Sequence, residues 1–501
     1  MKRISRRDFL KLMAVLPASL ALSRFSSRQF TRQTERPNVI LLVLDAMSAY
    51  HLSLYGYGRK TTPNFERFAE RANVYHAHYS TANFTIPGTG SLLMGMYPWT
   101  HRGLHLSGLV KREMAHMNLF ALLGKDYHRF AFSQNVWATN LLLQFESDVD
   151  QLLPSSAFSD YAFLVSEAFR RDEGNAHQVL DHVLFDYVDA PGLLVFGLAQ
   201  RLYFERVRKT VDRQYPRGVP QPRNHPISFK MANVFDGLMR TLTRLPRPFL
   251  AYIHLFPPHS PYRAHKDFVG IFDGTPPHIQ KPEHIFSEGE TYETIEKNRI
   301  WYDEYIANVD FEFGRLLDHL EQNGLLDSSY LIVTSDHGEL LERGIKGHVT
   351  PVLYEPLVRV PLLISVPGQE KRQDFYAPTS SVDLVPSLLH VIGNDVPDWV
   401  EGRLLPGLGG QEDPDRHVWM LEAKSSSAFG RLRQATFAMR HGRYKAIVYR
   451  GYDRIGKDLV EIYDLDSDPE EMHDLGREPS PLVTELTNRL LEKFEQINTL
   501  L

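Results

Sequence analysis

Five apolar runs punctuate this chain, at 38–44, 129–133, 249–254, 329–334 and 362–366. Runs of that length without regular polar alternation suit parallel strands covered on both faces. Helical periodicity fills the intervals. It is clearest over 300–324, where Tyr302, Tyr305, Val309, Phe313, Leu316, Leu317 and Leu320 share one face. Strands alternating with helices predict an α/β fold built on a doubly wound, mostly parallel sheet. Ligands of such sheets gather beyond the carboxyl ends of the strands. Asp45 ends the first run and Asp336 follows the fourth. His254 ends the third, with His259 just beyond.

The pattern changes toward the end of the chain. Residues 396–410 are rich in Gly, Pro and Leu and read as a connector. Short strand-like pieces at 435–440 and 444–449, a turn-rich stretch at 464–471 and a helix over 480–500 then predict a small α+β C-terminal subdomain, 396–501. The larger domain spans 37–395. Within it, 150–245 is less regular, with a basic segment around 201–217, and is expected to be an insertion near the mouth of the site.

Composition narrows the choices. The chain has 501 residues, 43% hydrophobic and 23% charged, which is ordinary for a large globular domain with a smaller companion. The net charge of -5 and the lack of a basic block argue against a nucleic-acid partner. There is no cysteine, so thiolate metal sites and cysteine nucleophiles are excluded. Ser5-Arg6-Arg7-Asp8-Phe9-Leu10-Lys11, followed by an apolar stretch and small residues near Ala21 and Ser23, resembles a twin-arginine signal over 1–23. A flexible leader, 24–36, follows. The expected partner is the twin-arginine export machinery, and the expected location periplasmic or extracellular. The apolar stretch is too short for a stable transmembrane anchor.

The candidate chemistry lies at the strand ends and in one loop. Asn83-Phe84-Thr85-Ile86-Pro87-Gly88-Thr89-Gly90 turns into a helix, with Pro87 suited to its first turn. Free N–H groups and the positive end of the helix dipole would face an anion there. Asp45, Asp336 and His337, with the Thr85 hydroxyl, offer hard ligands for one divalent cation: Ca²⁺, Mg²⁺, Mn²⁺ or, through the imidazole, Zn²⁺. A cation against Thr85 would make its alkoxide accessible, which an unassisted threonine cannot do near neutral pH. The implied substrate is an anionic ester with a tetrahedral phosphorus or sulfur centre.

These motifs resemble the sulfatase branch of the alkaline phosphatase superfamily. The likeness runs through Asn38–Asp45, Thr85–Tyr97, His259-Ser260-Pro261-Tyr262, Ser335–Glu339, Ser381–Pro386 and Gly442–Lys445. It implies that Thr85 is the nucleophile and that Asp45, Asp336 and His337 hold metal. It gives His259 a role at the anion or leaving group, and His348, with Lys346 competing, the role of a second basic contact. Two-metal members carry an Asp-x-x-x-His pair absent between Thr85 and Asp336, which favours one cation. The departures are as telling. Formylglycine-forming members have Cys or Ser at the nucleophile and Arg four residues on, where this chain has Thr85 and Thr89. Threonine cannot become formylglycine, so direct alkoxide attack is expected. Asn135 replaces a cationic contact, so Asn135 and Thr89 are the expected substrate-binding residues. The reading is an exported, metal-dependent hydrolase of sulfate or phosphate esters. A phosphotransferase acting on a lipid or glycan acceptor, and a non-catalytic binding protein on the same scaffold, are the alternatives.

Overall fold

The first apolar run forms β1 (Asn38–Leu44), buried along its whole length. Ile40, Leu42 and Leu44 enter one hydrophobic cluster, while Val39, Leu41 and Val43 enter another. Each such side chain contributes roughly 2 kcal/mol by leaving water, in keeping with the unbroken apolar sequence from Val39 to Leu44. The computed structural model describes residues 36–159, 202, 211–222 and 227–499. The expected signal and leader, and most of the basic segment around 201–217, lie outside the described residues.

Among the described residues, seven further strands join the sheet: β2 (Asn73–Tyr75), β3 (His128–Ser133), β4 (Gln151–Leu153), β5 (Phe249–Leu255), β6 (Ser329–Thr334), β7 (Leu362–Ser365) and β8 (Gln373–Phe375). Their order is β8-β2-β7-β6-β1-β5-β3-β4. Only β7 runs antiparallel to its neighbours, β2 and β6; the other pairs are parallel. The sheet is therefore mixed but mostly parallel, as the apolar runs imply.

Helices cover both faces. On one side lie α1 (Thr85–Met94), α2 (Val136–Gln144) and α5 (Leu384–Val391), packing Leu92, Leu141 and Leu388 with Val39 and Leu41. On the other lie α3 (Met231–Arg244) and α4 (Tyr292–Gln322). The stripe from Tyr302 to Leu320 on α4 is buried there. That helix starts earlier than its apolar stripe, capped by the Thr291 side chain on the Thr294 N–H. Its first turns carry Glu293, Glu296 and Lys297, so hydrophobic periodicity cannot mark them. Met231, Val234, Phe235, Leu238 and Leu242 of α3 share the same cluster. The end of the irregular 150–245 segment is thus a covering helix of the sheet.

The C-terminal strands β9 (His417–Glu422), β10 (Ala435–His441), β11 (Tyr444–Arg450) and β12 (Leu459–Asp464) form a separate antiparallel sheet in sequential order. The helix α6 (Pro481–Thr499) lays Leu486, Leu490, Phe494 and Ile497 onto Phe437 and Val448. Their spacing of three and four residues is that of one helical face. Among the described residues no helix is long and apolar enough to cross a membrane.

Candidate active site

Sheet register assembles the site. Val43 of β1 pairs with Thr334 of β6 on one side and His254 of β5 on the other, and Ser133 of β3 pairs with His254. Two residues past Val43, Thr334 and Ser133 come Asp45, Asp336 and Asn135. All three therefore emerge at the carboxyl ends of neighbouring parallel strands.

Asp45 and Asp336 are buried, as are His254 and His337. His254 Nε2 lies 3.6 Å from Asp45 Oδ2 and 3.7 Å from Asp336 Oδ2. His337 Nε2 lies 3.4 Å from Asp45 Oδ1 and 3.6 Å from Asp336 Oδ2. Asp45 Oδ1, Asp336 Oδ2 and His254 Nε2 are buried without a hydrogen-bond partner among the described residues. Unpaired groups of this kind are rare in folded proteins. One donor atom each from Asp45, His254 and Asp336 falls within 4.8 Å of the others, so a cation fits this donor set.

The electrostatics agree. Burial pushes the Asp336 carboxyl up, with Asp45 adding to the rise and His337 opposing it. Burial also acts on Asp45, but His259, His254 and His337 outweigh it and hold that carboxyl below its ordinary range. A divalent cation relieves this buried like-charge pair. Tautomers point the same way. His337 Nδ1 sits 2.8 Å from the Gly338 carbonyl and donates to it, so the Nε2 lone pair faces the carboxylates. Tyr252 Oη lies 2.9 Å from His254 Nδ1. That contact orients His254 as the outer partners of metal-binding histidines do.

Thr85 stands at the first position of α1, with its hydroxyl 3.4 Å from His337 Nε2. The close approach of α1 needs Gly88. A Cβ there would lie 2.2 Å from the Asp336 carbonyl oxygen.

Comparison with known proteins places this arrangement. The family model for sulfatases matches residues 37–189 and 203–394. The chain belongs to the sulfatase family. A second model, N-sulphoglucosamine sulphohydrolase, C-terminal, matches residues 350–499. Among sulfatase-family relatives, the choline-sulfatase of Rhizobium meliloti is 28% identical over 265 residues, 48% of this chain and 49% of that protein. The chain thus spans about half the length of that relative. The multifunctional alkaline phosphatase superfamily protein PehA of Trinickia caryophylli is 23% identical over 89% of this chain and 92% of its own length. A phosphonate monoester hydrolase from Silicibacter pomeroyi shares the fold, with a TM-score of 0.64 at 19% identity over 92% of this chain and 95% of the other.

The other expected residues of this sulfatase-family chain take definite places. His259 donates from Nδ1 to the Ser260 carbonyl at 2.6 Å, and its ring centroid lies 4.7 Å from that of His348. The His348 ring in turn lies 4.4 Å from His337. His348 Nδ1 sits 3.1 Å from Glu339 Oε1. Burial holds His259 below the ordinary imidazole range, with Asp45 opposing. Lys346 lines the cavity above, its Nζ 3.9 Å from Glu290.

The two expected substrate contacts take different places. Asn135 lines the cavity, but its Nδ2 donates to Asp45 Oδ2 and, at 3.2 Å, to Thr85 Oγ1. Its Oδ1 caps α2 at the Trp137 N–H, 2.7 Å away. Capping fixes the side chain and turns the amide inward. Thr89 lies one helical turn beyond Thr85, fully buried, and does not line the cavity. His254 was legible only as a polar residue at a strand end; no spacing motif marks it as a ligand.

Proposed function

We propose that this chain is a metal-dependent hydrolase of sulfate or phosphate esters that uses Thr85 directly, without formylglycine. The carrying observation is the Thr85 hydroxyl at a helix N-terminus beside a buried, under-partnered set of two carboxylates and two imidazoles. Asp45, Asp336, His337 and His254 would hold the cation. When bound, it supplies charge neutralisation and a lowered pKa for a neighbouring hydroxyl.

The residues divide the work. Asn135 donates to Thr85 Oγ1 and aims its remaining lone pair. The free N–H groups at the start of α1 attract the ester's oxyanion. The Thr85 proton leaves to solvent, and Oγ attacks the sulfur or phosphorus in line. The new Oγ bond forms as the bond to the alcohol oxygen breaks. The departing oxygen takes a proton from the His259–His348 pair; an anionic ester favours the imidazolium form there. Water then attacks the same centre and returns a proton to the pair. Thr85 leaves as alkoxide and is reprotonated, and the inorganic anion departs.

The test is a panel of aryl sulfates, phosphate monoesters, phosphodiesters and phosphonates under several divalent cations. Thr85→Ala is expected to stay folded and to lose roughly 100-fold or more in turnover, because the covalent route is gone. Undiminished rates in that variant reject the nucleophile. The motif Ser5–Lys11 supports export by the twin-arginine route. Replacing Arg6 and Arg7 by Lys should retain the protein inside the cell, as read by fractionation.

A further inference from the structure

A cavity of about 370 Å³ opens directly above the site, with Asn135, His259 and His348 among the residues that line it. The apolar part of its wall is Leu106, Val136, Trp137, Pro222, Phe256 and Val349, from α2 and several loops. Leu106 and Val349 are 37% and 40% exposed, large apolar side chains left at the opening. The other polar side chains on the wall, among the described residues, are Ser260, Tyr262, Glu288 and Lys346. Tyr262 is nearly buried, its hydroxyl turned toward Glu339, and Lys346 faces Glu290. Burial pushes the Glu288 carboxyl up toward its neutral form.

From this lining we infer that the alcohol released from the ester is apolar, an alkyl or aryl group seated against Trp137, Val136 and Phe256, and not a sugar. The inference rests on the hydrolase reading above and specifies its substrate class. The continuity of the cavity with His259 and His348 decides the occupant, because the group leaving a centre bound at Thr85 must pass them. A sugar ring seated against Trp137, Val136 and Phe256 would set hydroxyls on side chains that accept no hydrogen bond, and each unpaired hydroxyl weakens binding. A methylene chain gains from burial at every carbon, about fourfold in affinity per methylene. The volume is at the small end of ligand sites, suited to one ring or a short chain.

The experiment uses the full chain with a divalent cation and a series of linear monoesters of ethanol, butanol, hexanol and octanol, beside a hexose 6-ester. Leaving-group acidity barely changes along the alkyl series, so kcat/KM reads the pocket. It should rise about fourfold per methylene from ethyl toward hexyl and level off when the cavity is full. The hexose ester should fall at or below the ethyl ester, and Trp137→Ala should flatten the rise. A flat series in an enzyme that turns over the ethyl ester, or preference for the hexose ester, overturns the apolar pocket and leaves the hydrolase reading intact. Absence of turnover throughout removes the hydrolase reading instead. Calorimetry with the corresponding alkylphosphonates then decides the pocket: affinity rising with chain length upholds it, and equal affinities overturn it.

Discussion

Asn135, His254 and Tyr252 do more at this site than their sequence context implies. Asn135 links the Thr85 hydroxyl to a carboxylate and caps a helix with the same side chain. The Tyr252 hydroxyl, 2.9 Å from His254 Nδ1, accepts that proton when Nε2 turns its lone pair between Asp45 and Asp336. Removing the hydroxyl frees the ring and its tautomer. Tyr252→Phe should therefore weaken divalent-cation binding roughly 10- to 100-fold, the range found for outer partners of metal-binding histidines. Titration of the metal-free variant with Mn²⁺ or Zn²⁺ measures it without reference to turnover. An affinity equal to that of the unaltered chain would remove His254 from the ligand set.

Elements place these residues, and also join the two sheets. Lys445 of β11 lies 3.0 Å from Glu355 Oε1 and 2.9 Å from Glu471 Oε1, all three buried. Burial, with Glu355 alongside, pushes Glu471 up to about 7 against the pull of Lys445. The folded chain thus keeps a proton that the unfolded chain releases near the ordinary value of 4.5. Stability from this group is present below about pH 4.5 and is lost as pH rises through 7, by about 3 kcal/mol in all. Denaturant unfolding from pH 5 to 8 should show that decline, and Glu471→Gln should remove it; parallel profiles would contradict the assignment. How much of this was legible follows from the same elements. Continuous apolar runs marked β1, β5 and β6 because both faces are covered, and the first acidic residues after β1 and β6 were Asp45 and Asp336. The short strands β2, β4 and β8 have three residues each, too few for any period to register. β9 and β12 went unread because their partly exposed ends break the apolar pattern. The inward turn of Asn135 depends on the β3–α2 junction, and the Tyr252–His254 contact on two residues of one strand facing the same side; neither leaves a spacing signature.

At the scale of the whole molecule, the cation should act on stability as well as on chemistry. Asp45 and Asp336 are fully buried side by side, and their mutual repulsion opposes folding until something positive lies between them. A divalent cation at about 100 times its dissociation constant should add roughly 2.7 kcal/mol to unfolding free energy, read as a higher denaturant midpoint. A midpoint indifferent to every cation tried would contradict the metal site. The account as a whole turns on a covalent ester at Thr85, formed between the ester's central atom and a hydroxyl that needs no maturation. Rapid acid quench during turnover, followed by peptide mass analysis, tests it most directly. The account predicts one phosphoryl or sulfuryl group on the peptide bearing Thr85, absent from Thr85→Ala. Steady turnover with that peptide unmodified at every quench time, and equally fast in the variant, would contradict it.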